Sequence, residues 1–175
     1  MDRSGIIVKA LAIAALFSAL AAGEAEAQSA TAKPPRFVSL KASEVNLRKG
    51  PGTEYPIAWV FRRAGLPVKV LREYEAWREV TDIDGTTGWV VRTLLSNRRT
   101  AQIVASKDAS GADAPQEPLL ERPRARAKAV ALVEAGVIAD LHACDGTWCE
   151  VSVGDFKGYL QQNKLWGVSA GEKLD

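Results

Sequence analysis

Residues 77–91 read WREVTDIDGTTGWVV, and residues 148–160 read WCEVSVGDFKGYL. In the first stretch Trp77, Val80 and Ile83 run into Asp84 and Gly85, a strong hairpin signal, after which Gly88, Trp89, Val90 and Val91 resume an apolar strand. The second stretch repeats the frame. Trp77, Arg78, Glu79, Val80 is echoed by Trp148, Cys149, Glu150, Val151 at a separation of 71, the same distance that separates Gly65 from Gly136. Gly88, Trp89, Val90 is echoed by Gly158, Tyr159, Leu160 and Leu95 by Leu165, both at a separation of 70. Anchors recurring in one order predict two copies of one domain.

Upstream of the first anchor the chain has the same short-strand character. Val45 and Leu47 alternate with Asn46, and the run Arg48, Lys49, Gly50, Pro51, Gly52, Thr53 breaks regular structure and predicts a loop. Ile57 to Phe61 resumes an apolar strand that Gly65 ends, and Val68, Val70 and Arg72 alternate with Lys69 and Leu71 before Tyr74. Leu94 and Leu95 suggest one helical turn, and Thr100 to Val104 a strand closing the first unit. No segment has a long helical period. Strands of this length in so short a stretch predict a small closed barrel, because closure removes exposed sheet edges. The expected fold is therefore all-β, with two tandem small barrels over 36–104 and 118–168. Between them 105–117 carries Ser, Gly, Asp, Ala and Pro with almost no large apolar side chain, and is expected to be a flexible linker. The barrels would then tumble semi-independently or share a small interface.

The N-terminus indicates compartment. Arg3 and Lys9 flank the start of an apolar stretch from Ala10 to Ala22, and Ala25, Glu26, Ala27 presents small residues for a signal peptidase. Residues 1–27 are expected to be a signal peptide cleaved after Ala27, with a periplasmic or secreted product. The uncharged stretch falls short of the roughly 20 residues a bilayer span needs, so an uncleaved anchor is the lesser alternative. No cysteine lies near the cleavage site for lipid attachment. Removing 1–27 takes out two cations and three anions and moves the net charge from +2 to +3, too mild a bias to argue for nucleic acid.

The first copy, through Val45, Asn46, Leu47, Arg48, then Gly50, Pro51, Gly52, then Gly65, Trp77, Glu79, Val80 and Gly88, Trp89, Val90, resembles the bacterial SH3-like domains of secreted proteins. The second copy is divergent, since Leu119, Leu120, Glu121, Arg122, Pro123 replaces the asparagine and glycine pattern. The resemblance implies a compact barrel that binds peptide or glycan, frequently cell-wall material, often as an accessory to an enzyme. Fold alone does not fix function.

Cys144 and Cys149 bracket Asp145, Gly146, Thr147 and Trp148, a hairpin-sized interval that would set the two side chains opposite one another. In an oxidising compartment this favours a disulfide, worth about 2 kcal/mol by loop closure. A metal site using His142 lacks local ligands to complete it, and a redox or nucleophilic pair is the third reading. No cofactor is expected. His142 lies two residues from Cys144 on one predicted strand, so the two should share a face about 7 Å apart, beyond hydrogen-bond reach for a nucleophile and base. The acidic pairs Glu73 with Glu75 and Asp82 with Asp84 fall in or beside predicted hairpin turns. The chain is therefore expected to be a non-catalytic binding module.

Ligand contacts are expected from rings and loop cations. Trp77 and Trp148 are read as partly core and partly groove floor; Trp89 and Tyr159 follow a glycine that permits close backbone approach. Tyr55 stands in the glycine-rich loop beside Arg48 and Lys49, and Arg124 belongs to a second basic run, Arg122, Arg124, Arg126 and Lys128, in the equivalent loop. Two cationic loops suggest an anion such as a wall carboxylate. The expected partner is cell-wall peptide or glycan, or alternatively another envelope protein held by an adaptor. Neither nucleic acid nor stable membrane insertion after cleavage is expected.

Overall fold

The computed structural model describes residues 34–104 and 116–175. The predicted signal segment 1–27 and its cleavage site lie outside the described residues, as do positions 105–115 of the predicted linker. Among the described residues no helix is long and apolar enough to cross a membrane.

The first barrel is built from β1 (Arg36–Leu40), β2 (Val45–Arg48), β3 (Ile57–Phe61), β4 (Pro67–Tyr74), β5 (Trp77–Thr81), β6 (Thr87–Val91) and β7 (Leu95–Ser96), with a 3-10 turn at Arg92–Leu94 before β7. Their sheet order is β3-β2-β6-β5-β4-β1-β7. Period-two alternation sends Val45, Leu47, Val68, Val70, Val80 and Val90 inward, where they form one core with Val38, Leu40 and Phe61. The Asp82 carboxylate accepts the backbone N–H groups of Asp84 and Thr86, which closes the β5–β6 hairpin that the Asp84-Gly85 pair foretold.

The second barrel repeats this order strand for strand. It comprises β8 (Thr100–Ile103), β9 (Gln116–Leu120), β10 (Ala129–Glu134), β11 (Ile138–Asp145), β12 (Trp148–Val153), β13 (Phe156–Gln161) and β14 (Leu165–Trp166), in the order β10-β9-β13-β12-β11-β8-β14, with β15 (Lys173–Leu174) added on β11. Leu119, Val133, Leu141, Val151, Leu160 and the two cysteines belong to its core.

One boundary differs from the sequence reading. Thr100–Ile103 does not close the first barrel: it pairs with β11, Ala101 opposite Ala139, and with β14, Ile103 opposite Leu165. It is the counterpart of β1, which pairs with β4 and β7 in the same way. The segment read as an inter-domain linker, 105–117, thus runs between the first two strands of the second barrel, and Gln116 and Glu117 already belong to β9. The barrels are joined through Asn97, Arg98 and Arg99. A hydrophobic pattern alone could not show this, because a four-residue strand carries no mark of which barrel it pairs with.

Both barrels carry a bulge in the long strand, between Val70 and Arg72 on β4 and between Leu141 and Ala143 on β11. An extra residue switches the faces of those that follow. Leu141 and Cys144 therefore both point inward while His142 is exposed, with its Nε2 2.9 Å from the Ser152 hydroxyl. The expectation that His142 and Cys144 share a face is corrected by this bulge. Cys144 and Cys149 lie directly opposite on β11 and β12 and form a disulfide, as the hairpin spacing suggested.

Gly88 and Gly158 sit where one strand crosses closely over another. A Cβ on Gly158 would lie 2.6 Å from the Leu120 carbonyl oxygen and 2.8 Å from the Leu119 side chain, and Gly88 faces Arg48 and Leu47 alike. Gly158→Ala should cost about 2 kcal/mol through overpacking, read as a lower midpoint in urea, whereas Gly154→Ala, with open space around it but a positive φ of 56°, should cost less.

The barrels touch through side chains that neither core uses. Phe37 is 7% exposed and meets the Trp166 ring edge-on at 5.2 Å between centroids. The Thr100 hydroxyl donates to the Gly65 carbonyl at 2.7 Å, Arg63 Nη1 donates to the Gly136 carbonyl at 2.9 Å, and Arg98 pairs with Asp140.

Candidate functional site

Paired strands place side chains of like orientation side by side, so the outer face of each barrel can be read as a row. In the first barrel the register sets Ile57 beside Arg48, Arg48 beside Trp89, Trp89 beside Glu79, and Glu79 beside Arg72. In the second, Leu120 lies beside Tyr159, Tyr159 beside Glu150, and Glu150 beside Ala143. Trp77 and Trp148 extend these faces by one step along β5 and β12, since Val80 and Arg78 point inward in one case and Cys149 and Val151 in the other. Both tryptophans are outer-face residues that remain half-buried.

Besides Leu120 for Arg48 and Tyr159 for Trp89, the rows differ where the first carries Arg72. Arg72 lies over the Trp89 ring, its guanidinium carbon 5.6 Å from the ring centroid, and donates two hydrogen bonds to Glu79, one of them 2.8 Å from Nη2 to Oε1. These bonds hold the Glu79 carboxyl below the ordinary carboxylate range. The same place in the second barrel belongs to Ala143, which can neither cover the ring nor engage the acid. Glu150 instead accepts from the Tyr159 hydroxyl at 3.3 Å and pairs with Lys157 at 3.2 Å. A groove of about 360 Å³ remains there, walled by Trp148, Tyr159, Glu150, Ala143, Asp145, Pro123 and the C-terminal Lys173 to Asp175. Asp145 is held in its anionic form by the backbone N–H groups of Trp148 and Thr147, which place its carboxyl below the usual range. A separate hollow of about 420 Å³ under the hairpin turn is lined by residues such as Gln161, Asn163 and Val168, with no ring or charge among its walls.

The structure distributes the sequence candidates over two regions. Trp148 and Tyr159 share the open groove. Trp77 and Trp89 lie on the matching face of the first barrel, with Trp89 beneath Arg72. Arg48 is engaged in bracing its own loop, because its Nη1 donates to the Thr53 and Tyr55 carbonyls at 3.0 and 2.7 Å. Tyr55 packs its ring on Gly50 and is 41% exposed, while Lys49 and Arg124 project into solvent from the two equivalent loops. The shared cationic character of these loops therefore does not converge on one pocket: Pro123 is the member of the second loop that enters the groove wall.

Sequence reasoning missed Trp59 and Glu150. Trp59 is 55% exposed on β3, an edge strand, and nothing within Ile57 to Phe61 distinguishes an edge from an interior strand. For Glu150 the signal was present in the repeated Trp-x-Glu-Val, but the contrast between Arg72 and Ala143 appears only once the bulged registers are superposed.

Among known proteins, the family model described as bacterial SH3 domain matches residues 41–97 and 114–167. Each match begins after the first strand of a barrel. No curated protein matches the chain. Solved structures that resemble it include NlpC1 from Trichomonas vaginalis, at 16% identity over 78% of this chain and 47% of that one with a TM-score of 0.33. NlpC2 from the same organism follows at 14% identity over 75% of this chain and 48% of that one with a TM-score of 0.32. The chain spans about half the length of these proteins.

Proposed function

The chain belongs to the bacterial SH3 domain family, and from that premise we propose that it is a non-catalytic binding protein of the cell envelope that recognises peptidoglycan peptide or glycan through its second barrel. The observation that carries this reading is the open groove floored by Trp148 and Tyr159. Two rings on a rigid sheet offer a large contact area at little cost in ordering, and the neighbouring acid Glu150 fixes orientation. Family membership supports a wall ligand, and the signal-like N-terminus supports delivery to the periplasm or beyond.

The test is sedimentation of the protein with purified peptidoglycan at low salt. Binding is expected, and Trp148→Ala should weaken it about 10- to 100-fold, in the range of a central aromatic contact, with the β-type circular dichroism unchanged. A protein that stays in the supernatant refutes the reading. Trp59 and Ile57, both exposed on the β3 edge, favour a second reading as an adaptor for another envelope protein. In that case Trp59→Ser, not Trp148→Ala, would abolish capture of the partner from envelope extract.

A further inference from the structure

The duplicated fold contains its own comparison. On the first barrel, an aromatic face and a carboxylate hold a guanidinium: Arg72 stacks on Trp89 and bonds to Glu79. On the second barrel the same face and the same acid are present as Tyr159 and Glu150, but the cation is missing because Ala143 stands in place of Arg72. We infer that the groove of the second barrel takes a peptide-borne cation, an ammonium or guanidinium group, in the position that the Arg72 side chain occupies in the first, and that the first barrel is self-occupied.

The surroundings agree with this charge. Three carboxylate side chains, Asp145, Glu150 and Asp175, line the groove against one cation, Lys173. Lys157 pairs with Glu150 from the edge, is itself largely exposed, and can swing away as a ligand arrives. A cation over a ring is favoured electrostatically, and the carboxylate beside it adds a charge-assisted hydrogen bond. The proposal rests on the preceding reading only for the source of the cation, an amine of the wall peptide. It departs from the anion preference that the loop cations suggested, because those cations lie outside the groove.

The test uses the protein and acetyl-Gly-Arg-Gly-amide, followed by NMR shifts of Trp148 and the Tyr159 neighbourhood. Saturable binding at one site is expected, with at least tenfold weaker binding for the citrulline counterpart, which keeps the shape and loses the charge. Ala143→Arg should abolish binding by supplying the cation internally, and Arg72→Ala should open a second site on the first barrel and raise the stoichiometry from one to two. Glu150→Gln, which keeps the groove's shape, guards against a folding defect in Ala143→Arg and should also weaken binding at least tenfold. Equal binding of the citrulline peptide, or unchanged binding in Ala143→Arg and Glu150→Gln, overturns the inference. Sedimentation with amine-acetylated peptidoglycan separates this from the wall reading: native and acetylated wall binding equally leaves the wall reading standing and removes the cation, whereas peptide binding without sedimentation of either leaves the cation and removes the wall.

Discussion

Phe37→Ala is expected to turn one cooperative unfolding transition into two. The ring is almost wholly buried, yet it belongs to neither core, because β1 points it away from Val38 and Leu40 and onto Trp166 of the second barrel. Truncating a buried phenylalanine costs about 3 kcal/mol, and here that loss falls on the contact that couples the two halves. Other bridges include the Thr100 to Gly65 and Arg63 to Gly136 hydrogen bonds, each worth on the order of 1 kcal/mol, while Arg98 of the connection pairs with Asp140 of the second barrel. With a three-residue connection the halves remain neighbours, but each can then melt alone. Calorimetry reads this directly: the native protein should show a single endotherm, Phe37→Ala two. Trp166→Ala should give the same splitting and little further loss in combination, since both remove one contact. A single transition shifted by less than about 1 kcal/mol would mean that the barrels are coupled elsewhere.

Short-range features of the sequence carried much of this architecture. The Trp-x-Glu-Val and Gly-aromatic anchors, the Asp84-Gly85 hairpin and the cysteine pair are all written within a few residues, and each resides where its spacing places it. What escaped depends on pairings between distant segments. Thr100–Ile103 sits 63 residues after its counterpart β1, whereas the Trp77 and Trp148 anchors are 71 apart, so the insertion between β8 and β9 hides the first strand of the second copy from a search at one period. The bulges on β4 and β11 reverse the faces expected from strict alternation, which moved His142 outward and aimed Arg72 at Trp89. Of the candidate site, the rings Trp148 and Tyr159 were legible as residues, but their groove was not, because its openness comes from an alanine where the other copy has arginine. Arg48 was legible as a loop cation, but its bracing of that loop through the Thr53 and Tyr55 carbonyls was not.

An ion pair of the second barrel, between a buried carboxylate and a half-buried lysine, offers the other large effect, and the first barrel prescribes its repair. Glu117 is 7% exposed on β9 and accepts from Lys164 at 3.0 Å. The register equates Glu117 with Val45, since Glu117 faces Val133 as Val45 faces Phe61. Lys164 ends the 3-10 turn of its barrel as Leu94 ends the equivalent turn, and Val45 and Leu94 pack in one apolar cluster. Lys164→Ala should therefore cost about 3 kcal/mol, because it strands a desolvated carboxylate without its cation. Glu117→Val combined with Lys164→Leu should recover that loss and reach or exceed the native stability, since apolar groups of similar volume carry no desolvation cost. Urea denaturation of the single and double variants, compared with the native protein, decides the point. If the double variant were as unstable as Lys164→Ala, the ion pair would be holding β9 against the 3-10 turn in a way that apolar packing at this site cannot replace.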